Sequence, residues 1–171
     1  MPKTVSNASR NAILDRFVQK LDGIELKDSA GTVIASVTGA SFNAARGGTV
    51  DVSGTPTLTG NAAAGTGTDA ANARLFDNGS SGEEVDGLIV AQDQNFSAWS
   101  PSVSYQVGDK VTNIVSGDTF RFEVTEAHTS DSEKEPGVGD TWPKYFELVD
   151  LVIDNTNIAD GQTVDINSLL I

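Results

Sequence analysis

The sequence of this 171-residue chain shows no recognisable arrangement of side chains for acid–base or nucleophilic catalysis. His128 is the only histidine, and no Gly-x-Ser-x-Gly element accompanies it, so the pattern is typical of a structural hydrogen-bonding residue. Carboxylates cluster at 83–86 and 131–135. Glycoside hydrolysis needs two carboxyl groups facing each other across a cleft, and solvated surface charge is the simpler interpretation of these runs. The sequence therefore predicts a protein that is not an enzyme.

Motifs for metals and cofactors are also missing from the sequence. The chain contains no cysteine, which excludes disulfides and thiolate metal sites. No EF-hand spacing for calcium is present, and the glycine-rich segments lack the lysine-containing ending of a phosphate loop. We therefore expect neither a bound metal nor a cofactor.

Aromatic residues are the group that this chain does concentrate. Both tryptophans, both tyrosines and three of the seven phenylalanines lie within 98–149, whereas the remainder is rich in Gly, Ala and Thr. A short segment with this composition is expected to fold separately, because a few large side chains can build a core that is too small for aliphatic packing. We predict an inserted module at 97–149 and a body formed by 1–96 and 150–171.

Charge limits the partners that the protein can have. The net charge of −13 argues against binding to nucleic acid or to anionic membranes, because both require positive surface. Residues 1–46 nevertheless carry six basic and four acidic side chains. This excess is either a local fluctuation or a basic end that docks on an acidic partner. In the second case the docking candidates are Arg10, Arg16, Phe17 and Lys20.

The sequence predicts a helix over 7–21, which would position the docking candidates. Ile13, Phe17 and Leu21 recur at helical spacing with Leu14 and Val18 beside them, and Asp22-Gly23 is a typical terminator. The apolar stripe requires a cover, which is either the protein's own sheet or a neighbouring subunit. No segment has the apolar length to cross a bilayer, and residues 1–7 lack the apolar core of a secretory signal.

Short strands account for most of the remaining body. Alternating or β-branched segments lie at 24–27, 32–37, 49–52, 73–77, 84–90, 151–154 and 163–171. Asn78-Gly79 predicts a hairpin between 73–77 and 84–90. The segment 54–72 is either a loop or a tightly packed strand pair around 57–59. The predicted fold is mainly β: an N-terminal helix, a β-sandwich-like body and a small inserted three-stranded β-module.

The body resembles small structural proteins of tailed bacteriophages, of the kind found among head and tail genes. The resemblance is carried by residues 1–8, 25–35, 73–77 and 157–164. It implies an oligomeric virion component, with a trimer favoured, whose partners are the major capsid protein or other virion proteins. It also implies assembly in the host cytoplasm, a final location on the capsid surface, and an 88–90 strand that runs almost directly into the 151–153 strand when the module is absent.

The module resembles the small carbohydrate-binding modules of chitinases. The matching skeleton is Ala98-Trp99, Tyr105, Gly108-Asp109-Lys110-Val111, Phe120-Arg121-Phe122, Pro136 and Trp142. Versions with a His-Thr-Ser element, as at 128–130, also recur in phage tail and fibre proteins. The resemblance implies that Trp99, Tyr105 and Trp142 stack on sugar rings, whose C–H faces are apolar. However, the family's paired aromatic position reads Glu123-Val124-Thr125-Glu126-Ala127 here, so the tryptophans are either ligands or core residues.

Together, these features favour a capsid decoration or cement protein that displays a carbohydrate-binding-like module on the particle. The module either binds cell-surface glycans or serves as a scaffold for protein contacts. The alternative is a tail or fibre receptor-binding subunit that recognises host surface glycans. A stand-alone carbohydrate-binding protein is the third interpretation.

Overall fold

A computed structural model describes residues 7–45, 50–79, 82, 84–93, 96–115 and 117–171. The chain divides into two compact units, which we call the body (Met1–Gln92 with Asp150–Ile171) and the module (Asp93–Val149). The fold is mainly β with one N-terminal helix, as the sequence predicts. No helix of the described part of the chain is long and apolar enough to span a membrane.

The regular elements are short, in keeping with the many turn-forming residues. The helix α1 spans Asn7–Val18. The strands are β1 Gly23–Lys27, β2 Val33–Thr38, β3 Thr57–Gly60, β4 Thr68–Asp69, β5 Asn72–Phe76, β6 Glu84–Gln92, β7 Ser97–Ala98, β8 Ser104–Tyr105, β9 Lys110–Val115, β10 Asp118–Val124, β11 His128–Thr129, β12 Phe146–Leu148, β13 Leu151–Ile153, β14 Asn157–Ile158 and β15 Thr163–Leu169.

Seven strands of the body form a closed barrel in the order β1-β2-β3-β15-β13-β6-β5. The sequence analysis expected a sandwich-like body, and the difference arises because β1 pairs with both β2 and β5 while β3 pairs with both β2 and β15. Alternate residues such as Ile24, Leu26 and Leu75 are fully buried inside. In the closed barrel each of the seven strands has a neighbouring strand on both sides. The backbone groups at the edges of these strands are therefore paired within the body.

The predicted hairpin around Asn78-Gly79 is confirmed, because β5 and β6 pair in antiparallel register. Of the two interpretations of 54–72, the strand is correct for Thr57–Gly60. Residues 50–52, by contrast, make only isolated bridges, in which Val52 pairs with Phe42 and Asp51 with Leu170.

The module is inserted between two parallel strands. β13 pairs with β6 in parallel, with Leu151 opposite Val90 and Ile153 opposite Gln92. The chain must therefore travel back along β6 before β13 begins, because adjacent parallel strands cannot be joined by a tight turn. In this chain the two strands lie side by side and are joined through the module, so the expected direct run from 88–90 into 151–153 in relatives without the module stays a prediction.

The helix packs on the body through part of the expected apolar face. Val18 is buried together with Ala45 and Val50, and Leu14 and Phe17 pack against this cluster. Ile13, which was expected on the same face, is 65% exposed. The helix ends at Val18 rather than at 21, so Leu21 leaves the helical period and enters the barrel core.

The module has a core of its own. Its main sheet has four strands in the order β12-β10-β9-β7, accompanied by the β8–β11 pair, where three strands were expected. Tyr105, Val111, Phe122, Val124 and Phe146 are buried in it. The barrel core, which includes Leu26 and Ile166, is a separate cluster.

Candidate binding site on the module

An apolar groove of about 190 Å³ lies on the module surface. Its described lining consists of Val115, Phe120, Phe122, Gly137, Trp142 and Leu148. Only Phe122 is fully buried, while the other five are half-buried and open toward solvent. The module therefore presents an aromatic surface that a ligand can reach.

The alternation of β10 places the aromatic rings of the groove. Phe120 and Phe122 are two residues apart on β10, so they project from one face of the sheet, with ring centroids 6.4 Å apart. Trp142 begins a short 3₁₀ turn and meets the Phe122 ring edge-on at 5.3 Å and 73°. The three rings therefore line the groove with different orientations.

Gly137 forms part of the groove wall, at a position where a side chain would clash with Val115. Its φ of 80° lies in the left-handed region, and a Cβ would come 2.7 Å from Val115 Cγ2. The preceding segment is tied to β9 by Asn113, whose Nδ2 donates to Glu135 Oε1 at 3.1 Å and to the Pro136 carbonyl at 2.9 Å. These bonds hold the wall in place and bring a carboxylate next to it.

Of the three residues predicted to stack on sugar, Trp142 is the one that lines the groove. Tyr105 is 5% exposed, and its hydroxyl accepts a hydrogen bond from the Ser100 amide at 3.0 Å. Trp99 is half-buried against the module core, and its Nε1 is buried with no hydrogen-bond partner among the described residues. Tyr105 and Trp99 therefore support the fold around the groove.

Phe120 and Leu148 are groove residues that the sequence analysis did not single out. The signal for Phe120 was present in the aromatic-x-aromatic pattern at 120–122. No local signal marks Leu148, because it comes into the groove through the pairing of β12 with Phe122 on β10.

A strained loop lies beside Trp99. Ser102 has a φ of 62°, and Ser130, the most deeply buried polar residue described, holds this loop from the opposite strand. Ser130 Oγ donates to the Ser100 carbonyl at 2.7 Å and accepts from the Val103 amide at 3.0 Å. On the same side, His128 Nδ1 lies 2.7 Å from the Glu126 carbonyl, which can only accept, so this nitrogen carries the hydrogen.

The charge of the module is strongly negative. Residues 93–149 contain ten acidic and four basic side chains, a net charge of −6 with His128 neutral. Each basic residue forms an ion pair, namely Lys110–Glu123, Arg121–Asp93, Lys134–Asp131 and Lys144–Glu126. The hydrogen bond from Lys134 lowers the pKa of Asp131, and the hydrogen bond to Glu126 raises the pKa of Lys144. The four basic side chains of the module are thus all engaged with carboxylates, and its net charge stays negative.

The residues predicted to dock on a partner differ in how far their side chains are exposed to solvent. Arg16 and Lys20 are exposed, whereas Phe17 packs against the barrel core and the helix cluster. The Arg10 side chain lies outside the described part of the structure. Ile13 is also exposed and lies three residues before Arg16 on α1, so an exposed apolar side chain accompanies this basic residue.

Metal ligation has little support in this geometry. Within the described ranges, no three or more His, Cys, Asp or Glu side chains come close enough to hold an ion together.

In comparisons with known proteins, no family model, no curated protein and no solved structure matched this chain.

Proposed function

We propose that this protein is a bacteriophage structural protein that decorates the capsid, and that its module binds carbohydrate on the surface of the host cell. The body, as an oligomer with a trimer favoured, would attach to the major capsid protein. The inserted module would be displayed outward. The observation that carries the binding role is the open aromatic groove formed by Phe120, Trp142 and their neighbours.

The groove supports carbohydrate binding because of its shape and its lining. A half-exposed indole beside a phenyl ring offers apolar surface for the C–H face of one sugar ring. Hydroxyl groups at the rim of the ligand would stay in water or bond to Glu135, which lies beside the wall. A groove of about 190 Å³ is below the size of ordinary small-molecule pockets and suits a single ring.

Weak binding at one groove is compatible with this role. The groove covers only one ring, so the apolar area that a single copy removes from water is small and the affinity of one groove for its ligand is expected to be weak. Many copies on one particle would raise the overall affinity by avidity, about 10²–10⁴-fold when the geometry allows simultaneous contacts. Decoration of a capsid would supply that number of copies.

Carbohydrate binding is tested with a glycan array and a chitin pull-down of the full-length protein. Wild type should bind, while Trp142→Ala and Phe120→Ala should each reduce binding at least tenfold. Ile114→Ala is the matched control, because Ile114 is an exposed apolar residue on β9 that does not line the groove. Failure of the wild type to bind any glycan would contradict the binding role.

Capsid attachment is tested by counting copies in purified virions with quantitative mass spectrometry. Hundreds of copies per particle would support decoration of the head. A few copies per particle would contradict it and would support the tail or fibre receptor-binding alternative.

A further inference from the structure

The groove favours a ligand group that needs no hydrogen bonds. Its described lining residues are all apolar, and three of them are aromatic. A hydroxyl or a primary ammonium group pushed into this space would lose its bonds to water without replacement, which costs free energy. The part of the ligand that enters the groove should therefore carry no donor.

The groove also favours a positive charge. Phe120, Phe122 and Trp142 line the groove, and aromatic rings attract cations to the negative quadrupole charge of their faces. All four basic residues of the module are already in ion pairs, and the Glu135 carboxylate is fixed beside the Gly137 wall. An anionic ligand would be repelled by the remaining net charge of −6.

We propose that the groove binds a trimethylammonium group, carried as a choline substituent on a cell-surface polysaccharide. This group is a cation without a hydrogen-bond donor, and it is the type of ligand that aromatic cages recognise. The groove of about 190 Å³ accommodates one compact head group. The inference rests on the proposed function, because it names the chemical group of the glycan that the module contacts.

The test compares choline with its neutral isostere 3,3-dimethylbutan-1-ol, in which carbon replaces the charged nitrogen. Each is titrated into the ¹⁵N-labelled full-length protein while the amide resonances and the Trp142 indole resonance are recorded. Choline should shift the groove resonances and bind about fivefold more tightly than the isostere, as expected for an added cation–π contribution. Equal or weaker binding of choline, or shifts confined to other surfaces, would overturn the inference.

Three variants separate the role of the rings from that of the charge. Phe120→Leu and Trp142→Leu keep apolar bulk and remove a ring, so choline affinity should fall about fivefold while isostere affinity changes less than twofold. Glu135→Gln should weaken choline alone. Ile114→Ala should leave both ligands unaffected. If Trp142→Leu fails to fold, Phe120→Leu decides the matter, because Phe120 is only half-buried.

The source of the choline is tested by binding to a choline-substituted polysaccharide, the same polysaccharide without choline, and phosphatidylcholine vesicles. Preference for the substituted polysaccharide over both others is expected. Binding to unsubstituted glycans without any response to choline would overturn this inference and leave the proposed function in place. Equal binding to vesicles would overturn the polysaccharide as the source.

Discussion

The ring of Phe76 lies on the backbone of Gly23, its partner in the antiparallel register between β5 and β1. A Cβ at residue 23 would overlap ring atoms of Phe76, including Cζ and Cε1. The same ring lies under the guanidinium of Arg74, at 5.3 Å from Cζ of the arginine to the ring centroid. Gly23 therefore leaves room for the Phe76 ring to lie across β1.

Gly23→Ala should lower the free energy of unfolding by about 2 kcal/mol, because the new methyl group forces the Phe76 ring out of its position. Urea unfolding followed by far-UV circular dichroism measures this. In a Phe76→Ala background the same substitution should cost less than about 0.5 kcal/mol, since the overlap is gone. An equal cost in both backgrounds would show that the ring is not the cause.

Replacing Ser102 by Gly should stabilise the module. Ser102 holds a φ of 62°, which costs a side-chain-bearing residue free energy that glycine does not lose. We expect Ser102→Gly to raise the free energy of unfolding by about 0.5 kcal/mol and Ser102→Val to lower it by more than about 1 kcal/mol.

Tryptophan fluorescence measures this effect selectively, because both tryptophans lie in the module. Ser132→Gly is the control, since Ser132 is exposed and has a negative φ, and glycine there should not stabilise. If Ser102→Gly lowered the free energy of unfolding, the proposal that the backbone at Ser102 is strained would be wrong.

The carboxylate of Asp150 should make the body less stable as pH rises through the acidic range. Burial raises the pKa of Asp150, although the side chain accepts a hydrogen bond from the Ile89 amide at 2.9 Å. The folded state therefore holds this proton to a higher pH than the unfolded state. This contribution to stability is present below the unfolded pKa and is lost as pH rises through the raised folded value.

Asp150→Asn keeps an acceptor for the Ile89 amide and removes the charge. Relative to wild type, its free energy of unfolding should increase as pH rises from the ordinary aspartate pKa through the raised folded value, and should then stay level. Chemical denaturation followed by circular dichroism at several pH values gives the difference directly. A difference that does not change with pH would contradict the burial effect.

The parallel pairing of β6 and β13 predicts how the module can be removed. Replacing 93–149 by a Gly/Ser linker of about ten residues should leave a folded body, because the chain can then return along β6. The thermal midpoint of the body should stay within about 4 °C, which corresponds to about 1 kcal/mol for a domain of this size.

Direct fusion of Gln92 to Asp150 is the informative comparison. It should abolish cooperative unfolding, because β13 cannot reach its position beside β6 without a connecting segment. If the linker version also failed to fold, the body would depend on the module for its structure.

The helix and the hairpins illustrate what local sequence could predict. The helical spacing of 7–21 and the Asn78-Gly79 turn rest on contacts a few residues apart, and both elements exist in the structure. The predicted apolar face was correct for Leu14, Phe17 and Val18 and wrong for Ile13, because the orientation of the helix depends on Ala45 and Val50, which are distant in sequence.

The groove, like the helix, could be predicted only in part from the sequence. The aromatic composition of 98–149 predicted Trp99, Tyr105 and Trp142 as the binding residues, and of these only Trp142 lines the groove. Which rings are covered was decided by long-range packing, because Tyr105 is enclosed by Phe146 and its hydroxyl bonds to Ser100, whereas Trp142 stays half-exposed against Phe122.

By itself, the sequence determined the strand-rich character, the negative charge and the concentration of aromatic residues between 98 and 149, because composition and short periodicity express these directly. The tertiary structure alone decided that the seven body strands close into a barrel and that β6 and β13 are parallel neighbours. Strand partners are chosen by pairing between distant segments, and the alternation of a single strand carries no information about its neighbours.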